Sequence, residues 1–193
     1  MITLYVGRRG CGKTTTMVKD AYLYKLHGWK IFTNMNSLLF ADEVLSVDEI
    51  ITLLSTDTEN YVLVLDEIQT LIDSRRSIRK RNVDFTYFIQ QIRKRNIKML
   101  ASTQFSIRAD KAFREHVDIE ARPRFFEQYP VIVVTYTDMT FGDELFVDVE
   151  EYQRQIVFDP TQIYPLFDTK EKISPGITSV ESKQQKTSVK TKA

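Results

Sequence analysis

Short apolar runs alternate with helical stretches along the first two-thirds of the chain, a pattern that predicts an α/β domain. Residues 2–6 (Ile-Thr-Leu-Tyr-Val) read as a short strand running straight into a glycine cluster. Residues 13–27 have helical character, and Gly28 is placed to cap their end. Residues 30–33 form a second short strand. Ser46 and Glu49 have capping-box spacing, and Ile50, Ile51 and Leu54 give the helix they open an apolar face. Residues 61–65 are an uninterrupted apolar run of strand length, as in strands buried on both faces of a parallel sheet. A helix over residues 85–95 leads into another buried strand at 99–102. Such alternation implies right-handed crossovers and a mostly parallel sheet with helices on both faces.

The pattern changes after residue 118. Residues 119–126, 131–137 and 145–149 predict successive strands joined by turns at Tyr129-Pro130 and Phe141-Gly142-Asp143, as antiparallel additions at a sheet edge. All five prolines lie beyond residue 122, which marks the last third as turn-rich. Residues 174–193 are mostly Ser, Thr, Lys and Gln, so a flexible basic tail is expected behind a single domain over residues 1–173.

Composition narrows the class. At 193 residues, 42% hydrophobic and 27% charged, the chain suits one globular domain with its own core. Its lone cysteine, Cys11, excludes an intrachain disulfide, and with only two histidines a Cys/His zinc cage is excluded too. The longest apolar runs, such as residues 131–134, fall far below the ~18–20 residues of a membrane span. No basic leader or cleavage site opens the sequence, so an intracellular, cytoplasmic protein is expected, free or associated with a virion. The net charge of +1 hides an asymmetry. Residues 75–98 hold nine Lys or Arg against Asp84, a local balance of +8 that leaves −7 for the rest.

Gly7-Arg8-Arg9-Gly10-Cys11-Gly12-Lys13-Thr14 satisfies the pattern G-x-x-x-x-G-K-[ST]. A loop that wraps polyphosphate with backbone N–H groups needs glycine where a Cβ would clash or φ must be positive. The helix that follows adds its N-terminal dipole. Lys13 is expected to reach the β- and γ-phosphates, Thr14 to ligate Mg²⁺, and Thr15 to extend the phosphate-holding set. A chance match is the alternative, but the motif lies between a predicted strand and a predicted helix, the context it requires. Cys11 occupies a variable loop position, and no chemical role follows from it.

Residues 61–65 deliver Asp66-Glu67 to the carboxyl edge of the sheet, where ligands sit in open α/β folds. Asp66 is expected to hold Mg²⁺ and Glu67 to orient and help deprotonate an attacking water. An acidic pair after a buried strand is common by itself; with the phosphate loop it points to hydrolysis. Gln104, ending the next strand, has two readings: a sensor of the γ-phosphate, or an amide that satisfies loop backbone. The basic stretch Arg75, Arg76, Arg79, Lys80, Arg81 has three: a solvated face, a surface for the nucleic-acid phosphate backbone, or a source of an arginine for a neighbouring subunit's γ-phosphate. Phe85, Tyr87 and Phe88 read as core or interface.

With these residues in place, the chain resembles the FtsK–HerA superfamily of P-loop DNA-pumping ATPases, and within it small viral genome-packaging ATPases and Zot-like phage proteins. The likeness covers residues 1–170. Its more specific part is Arg93, ten residues, then Gln104, with Ile97-Lys98-Met99-Leu100-Ala101-Ser102-Thr103 between them. The resemblance implies a RecA-like fold, ATP and Mg²⁺ as ligands, and Gln104 as a sensor. It makes Arg93 the first candidate for an arginine acting on the adjacent subunit, with Arg76 and Arg79 second. Tyr164-Pro165-Leu166-Phe167-Asp168-Thr169 resembles the Tyr-Asp-Thr ending of Zot-like domains, interrupted by an insertion. Zot-like proteins carry a membrane span, which this sequence lacks, so a soluble motor is favoured over an export factor. The implied partners are double-stranded DNA, further copies in a pentameric or hexameric ring, and a capsid or portal protein. Other classes fit less well. No Asn-Lys-x-Asp tetrapeptide for guanine is present, the last third leaves no room for an AAA+ lid, and one motor domain is too few for a two-domain helicase. A small-molecule kinase is the remaining enzymatic rival, although it rarely needs the acidic pair.

Overall fold

The structure is a computed structural model that describes residues 1–56, 58–69, 92, 94–104, 115–140 and 153–171. The strands are β1 (Ile2–Val6), β2 (Lys30–Thr33), β3 (Glu43–Val44), β4 (Tyr61–Leu65), β5 (Lys98–Thr103), β6 (Ile119–Phe126), β7 (Val131–Asp138) and β8 (Gln153–Phe158). Two helices of the described residues flank them, α1 (Lys13–Leu26) and α2 (Val47–Ser55). One sheet results, in the order β3-β2-β4-β5-β1-β6-β7-β8. Pairing is parallel from β3 across to β6 and antiparallel through β6, β7 and β8.

The apolar run of β4 explains its central place. All five residues are buried, and the strand pleat sends them alternately to two faces. Val62 and Val64 join Met17, Val18 and Ala21 of α1 with Leu100 on one face. Tyr61, Leu63 and Leu65 meet Ile50 of α2, Ile2, Leu4 and Met99 on the other. Full burial of each of these Val, Leu, Ile and Met side chains contributes roughly 1.5–3 kcal/mol of transfer free energy. The capping box expected at the start of α2 is present: Ser46 Oγ accepts from the Glu49 N–H at 3.3 Å, and Glu49 Oε2 accepts from the Ser46 N–H at 2.8 Å. Gly28, at φ +81°, turns the chain out of α1 into β2.

The carboxyl ends of β1, β4 and β5 lie at one edge of the sheet, so the glycine loop, Asp66-Glu67 and Gln104 leave the sheet side by side. Asp20 of α1 ties the two halves of the sheet together behind that edge. Its Oδ2 accepts from Tyr5 Oη of β1 at 2.7 Å and Tyr136 Oη of β7 at 2.8 Å, and Lys19 Nζ lies 2.6 Å from its Oδ1. Burial, then the neighbouring Asp20 charge, raises the pKa of both tyrosines, so both remain protonated donors.

After β8 the chain makes two 3₁₀ turns, Pro160–Gln162 and Tyr164–Leu166, which carry Ile163 and Phe167 into the core beside α1. Asp159 caps the first by accepting from the Thr161 N–H at 2.8 Å.

The described residues add two strands that the sequence did not announce: β3, two residues long, and β8, Gln153–Phe158, which pairs antiparallel with β7. The expected strand at 145–149, the tail at 174–193 and most of the expected helix at 85–95 lie outside the described residues; Ile92 and Lys94 from that helix are helical.

Candidate functional site: a phosphate loop facing two carboxylates

The loop between β1 and α1 is shaped by close approaches. Gly12 is the N-cap of α1, at φ +95° and with no side-chain cap. A Cβ there would lie 2.6 Å from Ile132 Cδ1 of β7 and would have to take the left-handed φ, so glycine is favoured where the loop meets the antiparallel half. A Cβ on Gly7 would lie 2.6 Å from Cys11 Sγ, which gives Cys11 a packing role. Lys13 Nζ donates to the Arg8 carbonyl at 3.0 Å, which holds the ammonium across the loop. Arg8, Arg9 and Gly10 are exposed, and Thr15 is buried at the start of α1.

Asp66 meets this loop from β4. Thr14 Oγ1 donates to Asp66 Oδ2 at 3.1 Å, which brings together the two predicted metal ligands. Both are oxygen donors, and the pairing of one hydroxyl with one carboxylate fits Mg²⁺, which keeps much of its shell for phosphate and water. No group of three or more His, Cys, Asp or Glu gathers as a metal cage among the described residues. Burial raises the Asp66 pKa and the Glu67 charge adds to the rise; hydrogen bonds from Ser102, Thr14 and the Glu67 N–H oppose it.

Two residues that the sequence reading did not assign hold the carboxylates. Asn34, just past β2, pairs with the Asp66 backbone: its Nδ2 donates to the Asp66 carbonyl and its Oδ1 accepts from the Asp66 N–H, both at 2.9 Å. Ser102 is fully buried in β5; its hydroxyl donates to Asp66 Oδ1 and accepts from the Glu67 N–H at 3.0 Å. A polar residue directly after an apolar strand was the visible signal for Asn34, and its partner was not readable. Glu67 sits in the left-handed region at φ 52°. Gln104 Nε2 lies 3.4 Å from Glu67 Oε1, so the amide and the acid expected to act on water face each other. Arg93, Arg76 and Arg79 lie outside the described residues.

A cleft of about 510 Å³ opens on the other side of the loop, within the ~300–1,000 Å³ of small-molecule sites. Gly10, Gly12, Lys13, Thr14 and Thr15 form one wall, and Phe125, Ile132, Tyr164, Phe167, Asp168 and Thr169 form the rest. The Tyr-Pro-Leu-Phe-Asp-Thr ending thus reaches the site.

Sheet order, loop and carboxylate placement define a RecA-like P-loop NTPase fold, mostly parallel with antiparallel C-terminal strands. Solved structures share it. The chain is similar to the N-terminal domain of zonular occludens toxin from Neisseria meningitidis (17% identity, TM-score 0.56, 86% of this chain and 98% of that one). It is similar to the genome packaging NTPase B204 from Sulfolobus turreted icosahedral virus 2 in complex with sulfate (14% identity, TM-score 0.52, 82% and 96%). The same NTPase in complex with ATP-gammaS gives a further likeness (14% identity, TM-score 0.50, 82% and 96%). No protein-family model matches the sequence, and no curated protein matches it.

Proposed function

We propose that the chain is an ATP-hydrolysing translocase of double-stranded DNA, working as a homo-oligomeric ring in viral genome packaging. The observation that carries the nucleotide reading is the meeting of Thr14 and Asp66 at 3.1 Å beneath a glycine loop, with Glu67 and Gln104 beside it. In this reading the loop N–H groups and Lys13 neutralise the phosphates. Mg²⁺, held by Thr14 and Asp66, would supply charge at the β- and γ-oxygens. Glu67 takes the proton of the water that attacks the γ-phosphorus, and Gln104 registers whether the γ-phosphate is present. Arg93, or Arg76 and Arg79, completes a neighbour's pocket, which couples hydrolysis to subunit motion. Residues 1–173 form the motor domain and residues 174–193 a basic tail.

Support for the DNA step comes from the +8 segment at residues 75–98 and from fold likeness to a genome packaging NTPase, one structure of which holds ATP-gammaS. A second reading, a nucleotide-dependent virion assembly or export factor, is favoured by the likeness to the zonular occludens toxin domain, of which this chain spans 98%. Steady-state ATP hydrolysis with and without double-stranded DNA, across a salt series, separates the two. DNA stimulation that fades with salt supports the motor. Hydrolysis indifferent to DNA overturns it in favour of assembly, and the absence of hydrolysis without an added acceptor brings back a kinase.

A further inference from the structure

The nucleotide reading leaves one part of the site unused. Asp66, Glu67 and Gln104 mark where the terminal phosphate goes, yet none of them lines the 510 Å³ cleft, which runs from the same loop toward β6, β7 and the 3₁₀ turns. A ligand whose phosphates lie on the loop has room to extend its other end into that cleft. The far wall is aromatic: Phe125, Tyr164 and Phe167. Phe167 is 6% exposed and belongs to the core, whereas Tyr164 is 39% exposed and has ring surface left to cover. Asp168 and Thr169 supply polar groups at the rim. An aromatic slot with a polar rim matches a heterocyclic base, whose flat faces stack and whose edges carry hydrogen-bonding groups.

The segment that carries Tyr164, Phe167, Asp168 and Thr169 is anchored at a second point. Glu171 accepts from the Asn36 N–H at 2.6 Å and the Ser37 N–H at 3.0 Å, and also from the Ser37 hydroxyl. Leu39 N–H donates to the Leu166 carbonyl at 3.0 Å. The loop so gripped begins at Asn34, the residue that holds the Asp66 backbone. The base slot and the carboxylate strand are thus attached to the same loop.

We propose that residues 163–171 are a strap that takes the heterocyclic base of the nucleotide, with Tyr164 as its stacking face and Glu171 as its latch. The inference rests on the nucleotide reading above and adds the part of the ligand that the phosphate motif does not read. Calorimetry on the full chain with Mg²⁺, comparing ATP with inorganic tripolyphosphate, tests it. The wild-type protein is expected to bind ATP at least about tenfold more tightly than tripolyphosphate. Tyr164→Ala, at a half-exposed position, should cut the ATP affinity about tenfold while the tripolyphosphate affinity holds. Glu171→Ala should lower the same ratio by freeing the strap. Equal affinity of the wild-type protein for the two ligands, or a ratio unmoved by Tyr164→Ala, would overturn the strap and leave the phosphate site standing. Failure of both ligands to bind would overturn the nucleotide reading and the strap with it.

Discussion

The parallel and antiparallel halves of the sheet meet the glycine loop in different ways. From the parallel half come polar groups defined by their hydrogen-bonding chemistry: Asp66, Glu67 and Gln104, each at a strand end and each held by a named hydrogen bond. From the antiparallel half come shapes: Ile132 pressed against Gly12, and Phe125 lining the cleft. Under the proposed function the one side tolerates few residue types at each position, because a carboxylate or an amide is required there. The packing on the other side constrains volume and leaves residue type freer. α1 belongs to both halves, through the loop at its start and through Asp20 at its middle.

Breaking the parallel side should cost turnover first. Lys13→Ala is expected to lower ATP hydrolysis at least about 10²–10³-fold, measured as phosphate release, since it removes charge where the transition state gathers it. Turnover that survives would remove the phosphate-site assignment. Glu67→Gln should cut hydrolysis about 10²-fold or more while ATP binding persists, which a paired calorimetric and kinetic measurement would show. Loss of binding in that variant would argue for a structural role.

Breaking the join between the halves should cost stability instead. Asp20→Ala leaves the buried Tyr5 hydroxyl and the half-buried Tyr136 hydroxyl without their acceptor, at about 1–3 kcal/mol, read as a lower denaturant midpoint. A double-mutant cycle of Tyr5→Phe and Tyr136→Phe sharpens this: both donate to one oxygen, so their effects should not add. Gly12→Ala should cost about 1–3 kcal/mol through its positive φ and the Ile132 contact. Equal stability to the wild-type chain would mean that the loop does not rest on β7.

The smallest effect belongs to Asp42, which joins α1 to the chain after β2. Burial works against its charge, but Lys25 at 2.7 Å, the Ile31 N–H and Lys30 outweigh it and lower its pKa. A lowered carboxylate pKa stabilises above the ordinary value and loses that contribution as pH falls through the folded value. Asp42 is 36% exposed, so Asp42→Asn should cost only ~0.5 kcal/mol near neutrality, with the gap closing below about pH 4. A gap that widens in acid would contradict the pairing.

Much of the parallel half was legible because its signals are local. The run at residues 61–65, the capping box at Ser46 and the eight-residue glycine pattern each specify their structure within one turn or one strand. Asn34 and Ser102 were not legible as carboxylate holders, because each depends on which strand lies beside β4. β3 is two residues long, too short for any period to show, and β8 alternates weakly, with four of its six residues exposed. The far wall of the cleft joins residues about 110 to 155 positions from the glycine loop, a separation that spacing rules do not cross.

Three non-glycine residues of the described chain have positive φ, and two of them are asparagines, Asn60 and Asn96, a type that tolerates the left-handed region. They also bond to each other, Asn96 Nδ2 donating to Asn60 Oδ1 at 2.9 Å. Glu67 is the third, and glutamate has no such local compensation. Selection for a durable fold alone would place glycine or asparagine there, and the chain instead carries an acid in a conformation costing ~1 kcal/mol. A stabilised descendant of this protein obtained by consensus or directed evolution is therefore liable to drift at position 67 first, becoming more robust and, under the role proposed for Glu67, silent.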